Sequence, residues 1–143
     1  MSFDLKISKG DFVIKNGALQ IVTDSEKLIQ DLLKLCITGA GTNPLHPWYG
    51  SFLSRTLVGN AMDTSVLVTV SKSQLYSCIE NLKNLQDMQV KSFQKVSADE
   101  QISAIIDISV NRHPIDPRLY SVELKVLSKG LKPITTAFTV SSI

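Results

Sequence analysis

Long apolar runs are missing from this chain: nowhere do about 18 uncharged apolar residues follow one another, which excludes a membrane-spanning helix as an expectation. Charge of one sign is also scarce. Fifteen Lys and Arg against thirteen Asp and Glu leave a net charge of +2 with no runs, so no dedicated nucleic-acid or membrane surface is expected. Only two cysteines and two histidines occur in 143 residues. Cys36, Cys78, His46 and His113 are scattered singly, without the paired spacing zinc sites use. Both cysteines fall on or near apolar helix faces and read as small buried hydrophobes. No dinucleotide or Walker-type glycine pattern is present, no nucleophile elbow, and no leader-like N-terminus. Neither a cofactor nor a metal is expected, and synthesis in the cytoplasm is.

What is present suffices for one domain with a hydrophobic core, spanning 1–143, with 1–10 as a loose arm. Phe12 to Ile14, Asn16-Gly17 and Leu19 to Val22 read as a hairpin, because Asn-Gly suits a type I′ turn. No internal repeat is read. Thr23 followed by Glu26 has capping-box spacing, and Leu28, Ile29, Leu32, Leu33, Leu35 and Cys36 give the first helix its stripe, stopped by Gly39. Ser51 is placed to cap a short helix carrying Phe52, Leu53, Leu57 and Val58, ended by Gly59-Asn60. A longer helix, capped by Asp63 or Thr64, is expected to reach the neighbourhood of Leu85. A further strand is considered at 90–96.

The last third changes period. Ile102, Ala104, Ile106, Ile108 and Val110 alternate with mostly polar neighbours, as do Val122, Leu124 and Val126, then Ile134, Phe138 and Val140. An antiparallel meander packed on three helices follows, so the fold class is α+β with an N-terminal β-hairpin.

Between the first two helices, 37–59 concentrates Gly, Pro and the only Trp. Pro44 and Pro47 stiffen it. Trp48 and Tyr49, beside His46, could form a ligand-stacking platform but are read as a hydrophobic plug tethering the loop to the core, with the loop 39–50 holding the first helix against the long one. The acidic candidates for general acid–base work (Asp31, Glu80, Asp99, Glu100 and Asp107) are read as solvated charges or caps, with Asp99 and Glu100 in a turn. Asp116-Pro117-Arg118 is read as a hairpin turn.

Taken together, Asp11-Phe12, Asn16-Gly17-x-Leu19, Gln30-Asp31, then Asn43-Pro44-x-x-Pro47-x-Tyr49-Gly50-Ser51-x-Leu53 resemble the baseplate wedge proteins of contractile phage tails, the sheath initiators. The same family includes a subunit of type VI secretion baseplates. The similarity runs from about Asp11 through the final strands; its structural loop is Asn43, Pro44, Pro47, Trp48, Tyr49, Gly50, Ser51, Leu53, and Pro47-x-Tyr49-Gly50-Ser51-x-Leu53 is its most specific part.

The resemblance implies a structural, non-enzymatic protein of the virion tail baseplate. Six copies would stand around the tail axis against central hub or tube proteins and other wedge subunits, linked to the tail sheath protein by strand addition. Ile134, Thr135, Thr136, Ala137, Phe138, Thr139 and Val140 are one candidate edge for that addition; the N-terminal hairpin is another. The family's Glu-Pro-Arg tripeptide at the end of the long helix has no counterpart at 85–89. A peptidoglycan hydrolase and a generic peptide-binding adaptor are the readings from other classes.

Overall fold

The computed structural model describes residues 2–57 and 62–141. Two layers face each other: a three-stranded antiparallel sheet and a set of helices on one of its faces. The sheet has the order β7-β8-β9, from Ile102–Arg112, Leu119–Ser128 and Pro133–Ser141. Helices α1 (Asp24–Ile37), α2 (Leu53–Leu57) and α3 (Thr64–Lys91) cover it. Leu28, Leu32 and Leu35 of α1, and Leu75, Ile79 and Leu82 of α3, share one apolar cluster with Ile108, Val122, Leu124 and Val126 of the sheet. Alternation along β8 drives this: Tyr120, Val122, Leu124 and Val126 are buried, while Ser121 and Lys125 are exposed. Each such side chain contributes roughly 1.5–3 kcal/mol before entropy is subtracted. Both cysteines are buried and unbridged.

Several expectations are corrected. Helix α3 runs to Lys91, beyond Leu85, and the segment considered as a strand at 90–96 is the helix end and a turn. In β7 the alternation slips. Register shifts between Ile102 and Ala104 and between Ile105 and Asp107 leave Ala104 and Ile106 exposed and pack Ile105 on the core instead. An extra residue in one strand of a pair turns every later side chain over, and adjacent Ile105-Ile106 let either one serve. Val58 and the Gly59-Asn60 stop lie outside the described residues.

The N-terminus departs furthest from expectation. Of the expected loose arm, 1–10, the described residues 4–8 are not loose: Asp4–Leu5 (β1) and Ile7–Ser8 (β2) are strands, followed by Asp11–Phe12 (β3), Ile14–Lys15 (β4), Ala18–Leu19 (β5) and Ile21–Val22 (β6). The expected hairpin closes for only two residue pairs, β4 with β5, before the chain parts. Strand β2 pairs β3 and β1 pairs β6, giving three short prongs.

At their junction Val13 N–H donates to Lys6 O (3.0 Å), Gln20 N–H to Val13 O (2.9 Å), and Lys6 N–H to Gln20 O (2.8 Å). The junction residues are seven apart, which exposes a repeat that the composition hides: DLKISKG, DFVIKNG, ALQIVTD. Lys9-Gly10 and Asn16-Gly17 make equivalent turns at positive φ, and Asp24, one period on, also has positive φ (51°). Asp24 therefore enters α1 from a turn geometry. Thr23 makes no side-chain cap, so the box expected with Glu26 is absent.

Candidate functional site

Strand β9 is one edge of the sheet, so half of its backbone polar groups have no strand to meet. Which half follows from the register. Val126 pairs Ile134, Leu124 pairs Thr136, Val122 pairs Phe138, and Ser128 N–H donates to Lys132 O at 3.0 Å. On the other side of β8, His113 N–H donates to Leu119 O at 2.8 Å. In an antiparallel ladder successive residues point their N–H and C=O to opposite sides. Ile134, Thr136, Phe138 and Val140 thus face β8, and Thr135, Ala137 and Thr139 face outward.

No hydrogen bond to another element engages the backbone of those three among the described residues. Their side chains are exposed, whereas Ile134 and Thr136 are buried and Phe138 and Val140 are half-buried against the core. Pro133 sits on the same outward phase, where its missing N–H costs no ladder bond. The edge is an open backbone register on a rigidly anchored strand.

The loop between α1 and α2 is closed by its own backbone. Ser51 N–H donates to Thr38 O (2.8 Å), Ala40 N–H to Ser51 O (3.0 Å), and Gly41 N–H to Pro47 O (3.1 Å). Asn43 Oδ1 accepts from Leu45 N–H at 3.0 Å, which fixes the turn before His46. Gly50 is held at φ 113°, and a Cβ there would lie 2.6 Å from Thr38 O, so only glycine fits.

Ser51 does not cap the short helix as expected. Its buried Oγ donates to Cys36 O at 2.6 Å, while Cys78 Sγ lies 3.4 Å from Gly50 O, so the loop touches both long helices. The plug reading holds for one aromatic and fails for the other. Tyr49 packs on the core, and burial raises its hydroxyl above the ordinary range; Trp48 is 40% exposed, edge-on to both His46 and Tyr49. Leu53, the last residue of the pattern, is buried.

Two glutamines do work that sequence inspection did not assign. Gln30 Oε1 accepts from Ile7 N–H (2.9 Å) and its Nε2 donates to Leu5 O (2.8 Å) and Asp4 Oδ2 (2.9 Å). Gln86 Oε1 accepts from Ile102 N–H (2.8 Å) and its Nε2 donates to Glu100 O (2.8 Å). In each case one carboxamide grips the C=O of one residue and the N–H of the second residue on, as a neighbouring strand would. Gln30 holds the three-pronged unit to α1, and Gln86 holds the start of β7 to α3. The signal available in the sequence was a glutamine on the apolar side of each helical stripe. Asp4 reinforces the first grip through an ion pair with Lys34. Burial works to raise the Asp4 carboxyl, but hydrogen bonds from Lys34 and Gln30 outweigh it and hold it below the usual range.

Among the carboxylates, Glu100 is a cap in a turn, as expected, and it is not solvated: it is 1% exposed, in a 3-10 turn at Ala98–Glu100. It closes a true capping box with Ser97, and both its oxygens accept from Ser2 Oγ at 2.9 Å. Asp31 is paired with Lys27 (2.7 Å) and Lys34 (3.3 Å). Asp31 and Glu100 line one cavity of about 150 Å³ with Tyr49 and Gln86. Small-molecule sites run about 300–1,000 Å³. Asp99 is bound to Lys132 and Asp107 is exposed on its strand.

Asp116-Pro117-Arg118 lies in the β7–β8 turn, where Arg118 N–H donates to Asp116 Oδ1 at 3.0 Å. His113 in the same turn accepts from Asp116 N–H through Nδ1 at 3.1 Å. Among the described residues no three His, Cys, Asp or Glu side chains are placed to share a metal ion, and no helix is long and apolar enough to cross a membrane. No protein-family model matches the chain, and no curated protein matches it.

Proposed function

We propose that this protein is a structural subunit of a contractile tail baseplate, seating the first ring of sheath by strand addition to β9. The observation that carries the reading is the outward backbone register of Thr135, Ala137 and Thr139. An exposed edge of this kind is an aggregation hazard for a protein without a partner for it, and an extended arm from a neighbour would meet its donors and acceptors in full. The resemblance of the 43–53 loop and the Gln30-Asp31 pair to sheath initiators supplies the partner: the tail sheath protein, with wedge and hub subunits on other faces and six copies around the axis. The two glutamine grips and the closed loop suit a rigid scaffold. On this reading the protein works in the virion and catalyses no reaction.

Sheath assembly seeded by the purified subunit tests this. Armless sheath protein is expected not to polymerise on it. Ala137→Pro removes one outward N–H while leaving every bond to β8 in place, so it is expected to keep its melting temperature and lose seeding. Undiminished seeding by Ala137→Pro, or by armless sheath, refutes strand addition at this edge.

A further inference from the structure

Cys36 on α1 and Cys78 on α3 are the only cysteines of the chain. Both belong to the buried cluster where the end of α1, the 38–51 loop and the middle of α3 meet. The Sγ of Cys78 lies 3.9 Å from the carbonyl oxygen of Leu35, the residue before Cys36. Cys78 is 3% exposed and borders a cavity. A cavity of about 320 Å³ under Trp48 is lined by Ala40, Gly50, Ser51, Ser77 and Cys78. Its size admits a molecule as small as hydrogen peroxide with room to spare, since a water takes about 30 Å³.

We infer that Cys36 and Cys78 form a latent disulfide site, closed between α1 and α3 when a hydroperoxide enters the cavity beneath Trp48. Cys78 is the attacking sulfur because the cavity meets it. Its thiolate forms an S–O bond to one peroxide oxygen as the O–O bond breaks, and the departing hydroxide leaves as water with the Cys78 proton. Cys36 then attacks that sulfur: the S–S bond forms, the S–O bond breaks, and the second hydroxide leaves as water with the Cys36 proton. Two thiols are oxidised by one electron each and one peroxide is reduced by two. The neighbouring Cys78 thiol and burial push the Cys36 thiol far above the ordinary thiol range, so it keeps its proton until the second step. The product ties the two helices at the residues that already anchor Ser51 and Gly50.

The test is intact-mass measurement of the folded, reduced full chain after treatment with hydrogen peroxide. The expected result is a monomer lighter by two hydrogens, with its circular dichroism spectrum retained, a raised melting temperature, and full reversal by dithiothreitol. Cys36→Ser is expected to gain oxygen at Cys78 instead, since no second thiol resolves the sulfenic acid. Ser77→Phe, which narrows the cavity without touching either thiol, is expected to slow the reaction severalfold. Retention of both thiols in folded wild type, disulfides only between chains, or closure only with loss of the folded spectrum overturns the inference. So does oxidation at the wild-type rate in Ser77→Phe.

Discussion

Replacing Gln86 with leucine removes one carboxamide and strands two main-chain groups. Gln86 is 4% exposed, and its side chain is the partner of both Glu100 O and Ile102 N–H at 2.8 Å. Leaving a buried donor or acceptor unsatisfied costs about 1–3 kcal/mol each. Leucine returns part of that by burying apolar surface of similar volume. The net loss expected is about 2–4 kcal/mol, or roughly 6–12 °C in melting temperature for a domain of this size.

Urea unfolding should show a lower midpoint with an unchanged slope, since the surface exposed on unfolding is the same. Gln86→Glu sharpens the argument. A carboxylate accepts from Ile102 N–H and cannot donate to Glu100 O, so at pH 7 it should be at least as damaging as leucine. A buried carboxyl has its folded pKa raised, so its neutral form is favoured in the folded state, and the protonated group can donate again. Its deficit relative to wild type should therefore shrink as pH falls toward 4. A leucine variant within about 0.5 kcal/mol of wild type would refute the idea that this side chain stands in for a strand.

Three further variants probe the loop and the N-terminal unit. Tyr49→Ala is expected to lower stability by about 2–4 kcal/mol, because its ring packs on the core, while Trp48→Ala costs under about 1 kcal/mol; thermal melts of the pair separate the two, and equal losses would mean that Trp48 is also a core residue. The lowered Asp4 carboxyl gives the hold of the three-pronged unit on α1 a sign with pH. Its contribution is present above the ordinary value of 3.8 and lost as pH falls through the lower folded value. Hydrogen exchange at the amide of Ile7 should therefore accelerate, relative to its intrinsic rate, as pH falls below 3.8, and Asp4→Asn should flatten that response.

Periodicity determined much on its own. Positions 120–126 alternate strictly and 134–140 do so except at Thr136 and Ala137, and a strand with one apolar face admits only one way to bury it, so most of the meander's buried set followed from spacing. The stripes of α1 and α3 were equally legible, because residues three and four apart must share a face. Glycine and proline between 39 and 50 marked a loop of fixed shape, since few backbones satisfy both.

Tertiary structure decided what spacing leaves degenerate. Ile105 and Ile106 are equivalent in any pattern, and only the slip against β8 chose between them. Thr23 and Ser97 both stand three residues before a glutamate, yet only Ser97 closes its box, because the chain reaches Thr23 through the third prong of a repeat. That repeat has two-residue strands, too short for alternation to register, and it is held by three main-chain bonds that carry no side-chain signature. Gln30 and Gln86 stand on the apolar side of their helical stripes, and Glu100 at capping-box spacing from Ser97, but none of the three positions says what it will grip. Their burial depends on which distant backbone group comes to meet them, and no local rule contains that information.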